Sequence, residues 1–102
     1  MKEDVRNFLV EYAEKNDWDT TDEDLWEIVT EWGEEVYSKL KSEHRWWDEW
    51  FYVVRIEDKY IGYINAKANR DESVSELGYD KNIDSICFCE PKEITTIVYQ
   101  PI

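Results

Sequence analysis

The chain has 102 residues, enough for one domain with one modest core. Its 25 Asp and Glu against 12 Lys and Arg leave a formal charge of −13, which excludes a basic patch for phosphate and so direct binding to DNA, RNA or an anionic membrane. A composition 42% apolar and 16% aromatic excludes the disorder that such charge otherwise favours.

The first residues, MKEDVRNFLVEYAEK, have no apolar run flanked by cations, so neither a signal nor a transit peptide is expected. Val5, Phe8, Leu9, Tyr12 and Ala13 recur at helical steps and predict a short helix over about residues 3–15, ended at Asn16-Asp17. Thr21 followed by Asp24 reads as a helix N-cap, with acids in the first turn where the helix dipole favours them. Leu25, Ile28, Val29, Trp32, Val36 and Leu40 continue at three- and four-residue steps. They predict a second amphipathic helix from Asp22 to Leu40 with those residues in the core and Trp26 on the border. Gly33 falls inside that pattern and marks a bend or a close approach.

From Arg45 to Glu57 the chain turns to Trp, Phe, Tyr, Val and Ile, which favours a strand. Both of its faces are apolar over residues 50–54, as in a central strand. Asp58-Lys59 predicts a turn and Tyr60–Ala66 the returning hairpin strand. Asn69–Asp80 reads as a polar loop, and Ser85–Cys89 and Ile94–Tyr99 as two further strands. The expected fold is α+β: two N-terminal helices packed on a four-stranded antiparallel sheet, in one acidic domain over residues 1–102. No apolar run approaches the ~20 residues of a membrane span. Two cysteines do not make a secreted disulfide framework, so a cytoplasmic protein is expected.

The charge is uneven. Residues 1–44 carry 14 acids and 5 bases, net −9, while residues 45–102 carry 11 and 7, net −4. Within Asp17–Glu35, DWDTTDEDLWEIVTEWGEE, there are nine acids, three tryptophans and no Lys, Arg or His. Like charges four apart, as at Glu23/Glu27 and Glu27/Glu31, destabilise a helix by a few tenths of a kcal/mol each. A solvated face normally mixes signs to avoid that cost. Carboxylates at this spacing lie about 4.5–6 Å apart along a helix axis, a density of the same order as phosphates on a DNA strand, about 3.4 Å of axis rise apart.

Other constellations carry less. Asp17, Asp19, Thr21 and Glu23 begin like a calcium loop, but its sixth position is Asp22, not Gly, and its twelfth is Ile28, not Glu. No metal or cofactor is expected. Cys87 and Cys89 in a strand share one face and read as core cysteines rather than a zinc pair. The single histidine, His44, has no partners at triad spacing. No pair of carboxylates stands apart from the rest as catalytic, so no enzyme is predicted. Trp46, Trp47 and Trp50 supply core, or rigid anchors on which a partner's Arg stacks.

The length, the charge of −13 and the run DWDTTDEDLWEIVTEWGEE together resemble the small acidic proteins that bacteriophages and mobile elements use against host defences, anti-CRISPR proteins and DNA mimics among them. The resemblance implies a non-enzymatic inhibitor that fills the nucleic-acid groove of a basic bacterial protein, such as the PAM-reading or guide/target channel of a Cas nuclease. The residues expected to contact that partner are Asp19, Asp22, Glu23, Asp24, Glu27, Glu31, Glu34 and Glu35, with Trp26 and Trp47 as aromatic anchors. The alternative is an acidic adaptor or dimerisation module unrelated to nucleic acid. Both a monomer and a homodimer fit the sequence.

Overall fold

The computed structural model describes residues 1–68, 82–93 and 97–102. Helix α1 spans Glu3–Lys15 and α2 spans Asp22–Glu27, extended by one π-helical turn over Ile28–Trp32. Strands β1 (Glu34–Glu43), β2 (Trp47–Ile56), β3 (Lys59–Ala68) and β4 (Cys87–Cys89) form one antiparallel sheet in the order β1-β2-β3-β4. The chain is thus α+β, with two helices and a four-stranded meander. β2 is central, as its two apolar faces require.

The second helix is shorter than the apolar spacing predicts. It gives way at Gly33, whose ψ of 142° is extended. A Cβ on Gly33 would lie 2.6 Å from Val54 Cγ2 and 2.9 Å from the Val29 carbonyl oxygen. Only glycine lets the chain turn from helix to strand so close to β2. Residues 34–43 then form the edge strand β1, so Val36 and Leu40 leave the expected core stripe and are exposed. The residues of this strand support the change, since Val36 and Tyr37 are strong strand formers. Register shifts at Val36 and at Lys41, together with Lys39 and Lys41, blunt the edge against further pairing.

At the other end of the chain, β4 is shorter than Ser85–Cys89. A 3₁₀ turn occupies Ile83–Ser85, and the Ser85 hydroxyl accepts from the Ile64 N–H at 2.9 Å while donating to the Asn82 carbonyl at 2.6 Å. That hydroxyl takes over from the ladder where β4 stops. The expected strand Ile94–Tyr99 does not form over Ile97–Tyr99, and its first three residues lie outside the described residues, as does the loop expected over Asn69–Asp80. The β2–β3 turn is Glu57-Asp58, one residue earlier than expected, with Glu57 at φ 56°.

One apolar cluster joins Val5, Leu9 and Ala13 of α1, Leu25, Trp26, Ile28 and Val29 of the second helix, and Val54, Ile56, Ile61, Tyr63 and Ile86 beneath them. Trp26 is 6% exposed, so it belongs to this core and not to the border. Its ring meets Tyr63 edge to face at 5.5 Å. Among the described residues no polar or charged side chain is buried. The opposite face of the sheet carries Phe51, Val53 and Tyr60. With Val36, Tyr37 and Cys89 they line an apolar surface concavity of ≈ 580 Å³. Cys87 and Cys89 both point to this outer face and are half-buried, not core. Burial, and then the neighbouring Cys87, push the Cys89 thiol up to about 11.

Candidate partner-binding surface

The acidic surface is positioned by two helix ends. α1 stops in a Schellman arrangement: the Trp18 N–H donates to the Ala13 carbonyl at 2.9 Å and the Asp17 N–H to the Glu14 carbonyl at 3.2 Å. Asp17 takes the left-handed conformation there, at φ 57°. The motif's usual apolar contact is present, with Trp18 edge to face on Tyr12 at 5.9 Å. α2 opens with a reciprocal capping box. The Asp24 N–H donates to Thr21 Oγ1 at 3.2 Å, the Thr21 N–H donates to Asp24 Oδ2 at 3.2 Å, and the Thr21 hydroxyl also donates to that carboxylate. The sequence pattern Thr21…Asp24 therefore forms the cap it predicts.

The π-helical turn decides where Trp32 goes. The Gly33 N–H reaches back five residues to the Ile28 carbonyl at 3.1 Å, not four. The additional residue in the turn rotates Trp32 away from the Leu25–Ile28–Val29 stripe. Trp32 was expected in the core and is 61% exposed. It rests on Trp18, with ring centroids 5.1 Å apart and planes tilted by 34°. Tyr12, Trp18 and Trp32 thus make an aromatic series from α1 to the end of the second helix.

Carboxylates surround that series. Trp18 and Trp32, with Asp17, Asp19, Asp24 and Glu27, line a surface concavity of ≈ 320 Å³. Trp32 also lines a second one of ≈ 430 Å³, with Glu23, Asp24, Glu27, Glu31 and Thr30. Among the described residues no Lys, Arg or His lines either. Asp17, Asp19, Glu23, Glu27 and Glu31 are exposed, while Asp24 is half-buried by its cap.

The other expected contact residues are placed differently. Asp22 is exposed, but Arg6 Nη1 of α1 pairs with its carboxylate at 2.5 Å. Glu34 and Glu35 are exposed on β1, not on a helix, with Glu34 opposite Arg55 in the ladder. Glu35 acts on the aromatic pair Tyr52–Tyr63, which stacks at 5.3 Å. Burial first, and then the Glu35 charge, raise the Tyr52 hydroxyl. Burial, the neighbouring Tyr52, Glu35 and Glu31 push the Tyr63 hydroxyl up to about 12. Trp47 is half-buried at the start of β2 and stacks on His44 at 4.7 Å, in a hairpin closed by the His44 N–H donating to the Trp47 carbonyl at 2.8 Å. Trp26 is core. The structure therefore brings Asp19, Glu23, Asp24, Glu27 and Glu31 together and adds Asp17, Trp18 and Trp32, which the sequence did not single out as contacts.

Among the described residues no three His, Cys, Asp or Glu side chains are arranged to hold a metal ion, and no helix is long and apolar enough to cross a membrane. No known protein family, curated protein or solved structure matches the chain.

Proposed function

We propose that this protein is a non-enzymatic inhibitor that binds a basic nucleic-acid-binding groove of a bacterial defence protein, such as a CRISPR-Cas nuclease, by nucleic-acid mimicry. In this reading the two N-terminal helices form the layer packed on the sheet and turn their carboxylates outward, and the protein acts in the cytoplasm of the host cell. The observation that supports it is the exposed set Asp17, Asp19, Glu23, Glu27 and Glu31, in a stretch with no Lys, Arg or His of its own, around two concavities that no Lys, Arg or His among the described residues lines. A protein pays for unrelieved like charges in stability. A groove built to displace counterions from phosphate gains from meeting them. The apolar outer face of the sheet, with Val36 and Tyr37 about half exposed, favours a second reading: an acidic adaptor or dimerisation module unrelated to nucleic acid.

Competition separates the two. Added to a Cas nuclease before its DNA, the inhibitor blocks loading of that DNA. Added after a stable complex forms, it acts slowly or not at all. Glu23, Glu27 and Glu31 changed together to Lys abolish the block without unfolding the domain, since all three side chains are exposed. Simultaneous binding of protein and nucleic acid to one target sinks mimicry and leaves the adaptor reading.

A further inference from the structure

Charge mimicry asks only for carboxylates, and it leaves Trp32 unexplained. An indole 61% exposed, held against a second tryptophan at 5.1 Å and bordered on two sides by acid-lined concavities, is a surface of specific chemistry. We infer that the Trp18–Trp32 step is a slot for one arginine side chain of the partner, with the guanidinium laid on the indole surface and its N–H groups directed to the carboxylates of Asp19 and Glu27, which line the same concavity as both rings. The inference rests on the reading that this face receives a basic partner, and names the group it selects.

Three properties single out arginine. Indole is the best cation–π surface among side chains. The guanidinium is planar and weakly hydrated, so it stacks on a ring at small desolvation cost, whereas the compact ammonium of Lys keeps its water. Its fork of donors also matches carboxylates in two-point geometry. A divalent ion would use the acids and ignore the rings. A neutral ring-shaped ligand would use the indole and leave the surrounding charges unpaired.

The test compares a tetra-arginine with a tetra-lysine peptide of equal charge, followed on uniformly ¹⁵N-labelled protein through the indole N–H resonances of Trp18 and Trp32. The tetra-arginine peptide binds about fivefold tighter, since a cation–π contact at a surface is worth about 1 kcal/mol, and it shifts both indole signals. Trp32→Ala, which removes an exposed ring, lowers arginine-peptide affinity to that of the lysine peptide and leaves the lysine peptide unchanged. Trp32→Phe keeps part of the preference. Equal affinities for the two peptides, no measurable binding of either, or an unchanged preference in folded Trp32→Ala overturns the slot. Equal, salt-sensitive binding of both peptides would sink the slot and leave mimicry standing. Arginine preference in a protein that fails to exclude nucleic acid from its target would do the reverse.

Discussion

At the scale of the residue, Asp17 shows a local rule broken where the surface is made. A left-handed residue ending a helix is normally Gly, because a Cβ in that conformation crowds the following carbonyl. Asp tolerates it better than most side chains, yet still at a cost. Asp17 lines the same concavity as Trp18 and Trp32. Local violations of this kind concentrate at functional sites. Asp17→Gly is therefore expected to stabilise the fold by ~0.5–1 kcal/mol while removing one carboxylate from the surface. A urea midpoint that rises while affinity for a basic partner falls fits this account. A variant less stable than the parent contradicts it, because the left-handed backbone would then cost Asp nothing. Trp32 teaches the complementary lesson. On a helical wheel it belongs with Leu25 and Val29, and nothing in residues 28–32 announces a π turn. A hydrogen-bond ladder shifted by one residue over Ile28–Trp32 accompanies its move from core to surface.

At the scale of the element, the same spacing supports two structures, and one glycine chooses between them. Trp32, Val36 and Leu40 fit a helical stripe, but Val36-Tyr37 and the polar residues after them equally suit a half-exposed edge strand. The decisive contact is Gly33 against Val54, which lies 21 residues away in sequence and so cannot be read locally. What depends on nearby residues was legible: α1 from its apolar steps, the Thr21–Asp24 cap, and the β2–β3 hairpin from its apolar strands. What depends on distant packing was not: the end of the second helix, the identity of the first strand and the burial of Trp26. The acids of the surface were legible as a charge pattern. The aromatic step among them was not, because it needs the Schellman end of α1 and the π turn to bring Trp18 and Trp32 together. Gly33→Ala tests the packing claim. The added Cβ forces Val54 or the Val29 carbonyl aside, and overpacking of this kind costs about 1–3 kcal/mol. A small entropic gain from the unfolded chain offsets part of that. A lower urea midpoint with an unchanged slope is expected. A parent-like midpoint would mean that helix and strand can part at residue 33 without the close approach.

At the scale of the whole molecule, salt acts on folding and on binding with opposite signs. A net charge of −13, with −9 of it in residues 1–44, repels itself across the two helices and the edge strand β1. Raising the ionic strength from about 0.01 to 0.15 M shortens the screening length from about 30 Å to about 8 Å. The folded state brings Glu23, Glu27 and Glu31 closer together than the unfolded chain does, so screening relieves it more. Thermal stability should therefore climb with added NaCl. Affinity for a basic groove should drop over the same range, because the attraction between the acids and the partner's Lys and Arg is screened and releasing counterions into more concentrated salt gains less free energy. The Glu23, Glu27, Glu31 to Lys variant sharpens the comparison. It replaces three repelling acids by bases, though at Glu23 it also sets a cation in the first turn of α2 against the helix dipole. The net negative charge falls, so its thermal midpoint should respond less to NaCl than the parent's, while its binding is lost. The arginine slot adds a remainder that salt does not remove, since stacking on Trp32 is screened less than exposed ion pairs. Affinity that stays constant from low to physiological salt would show that the partner does not read the acids at all. The apolar outer face of the sheet would then be the surface to pursue. A thermal midpoint that falls as NaCl is added would show that the acids do not strain the fold, and would remove the stability cost on which the functional reading of this face depends.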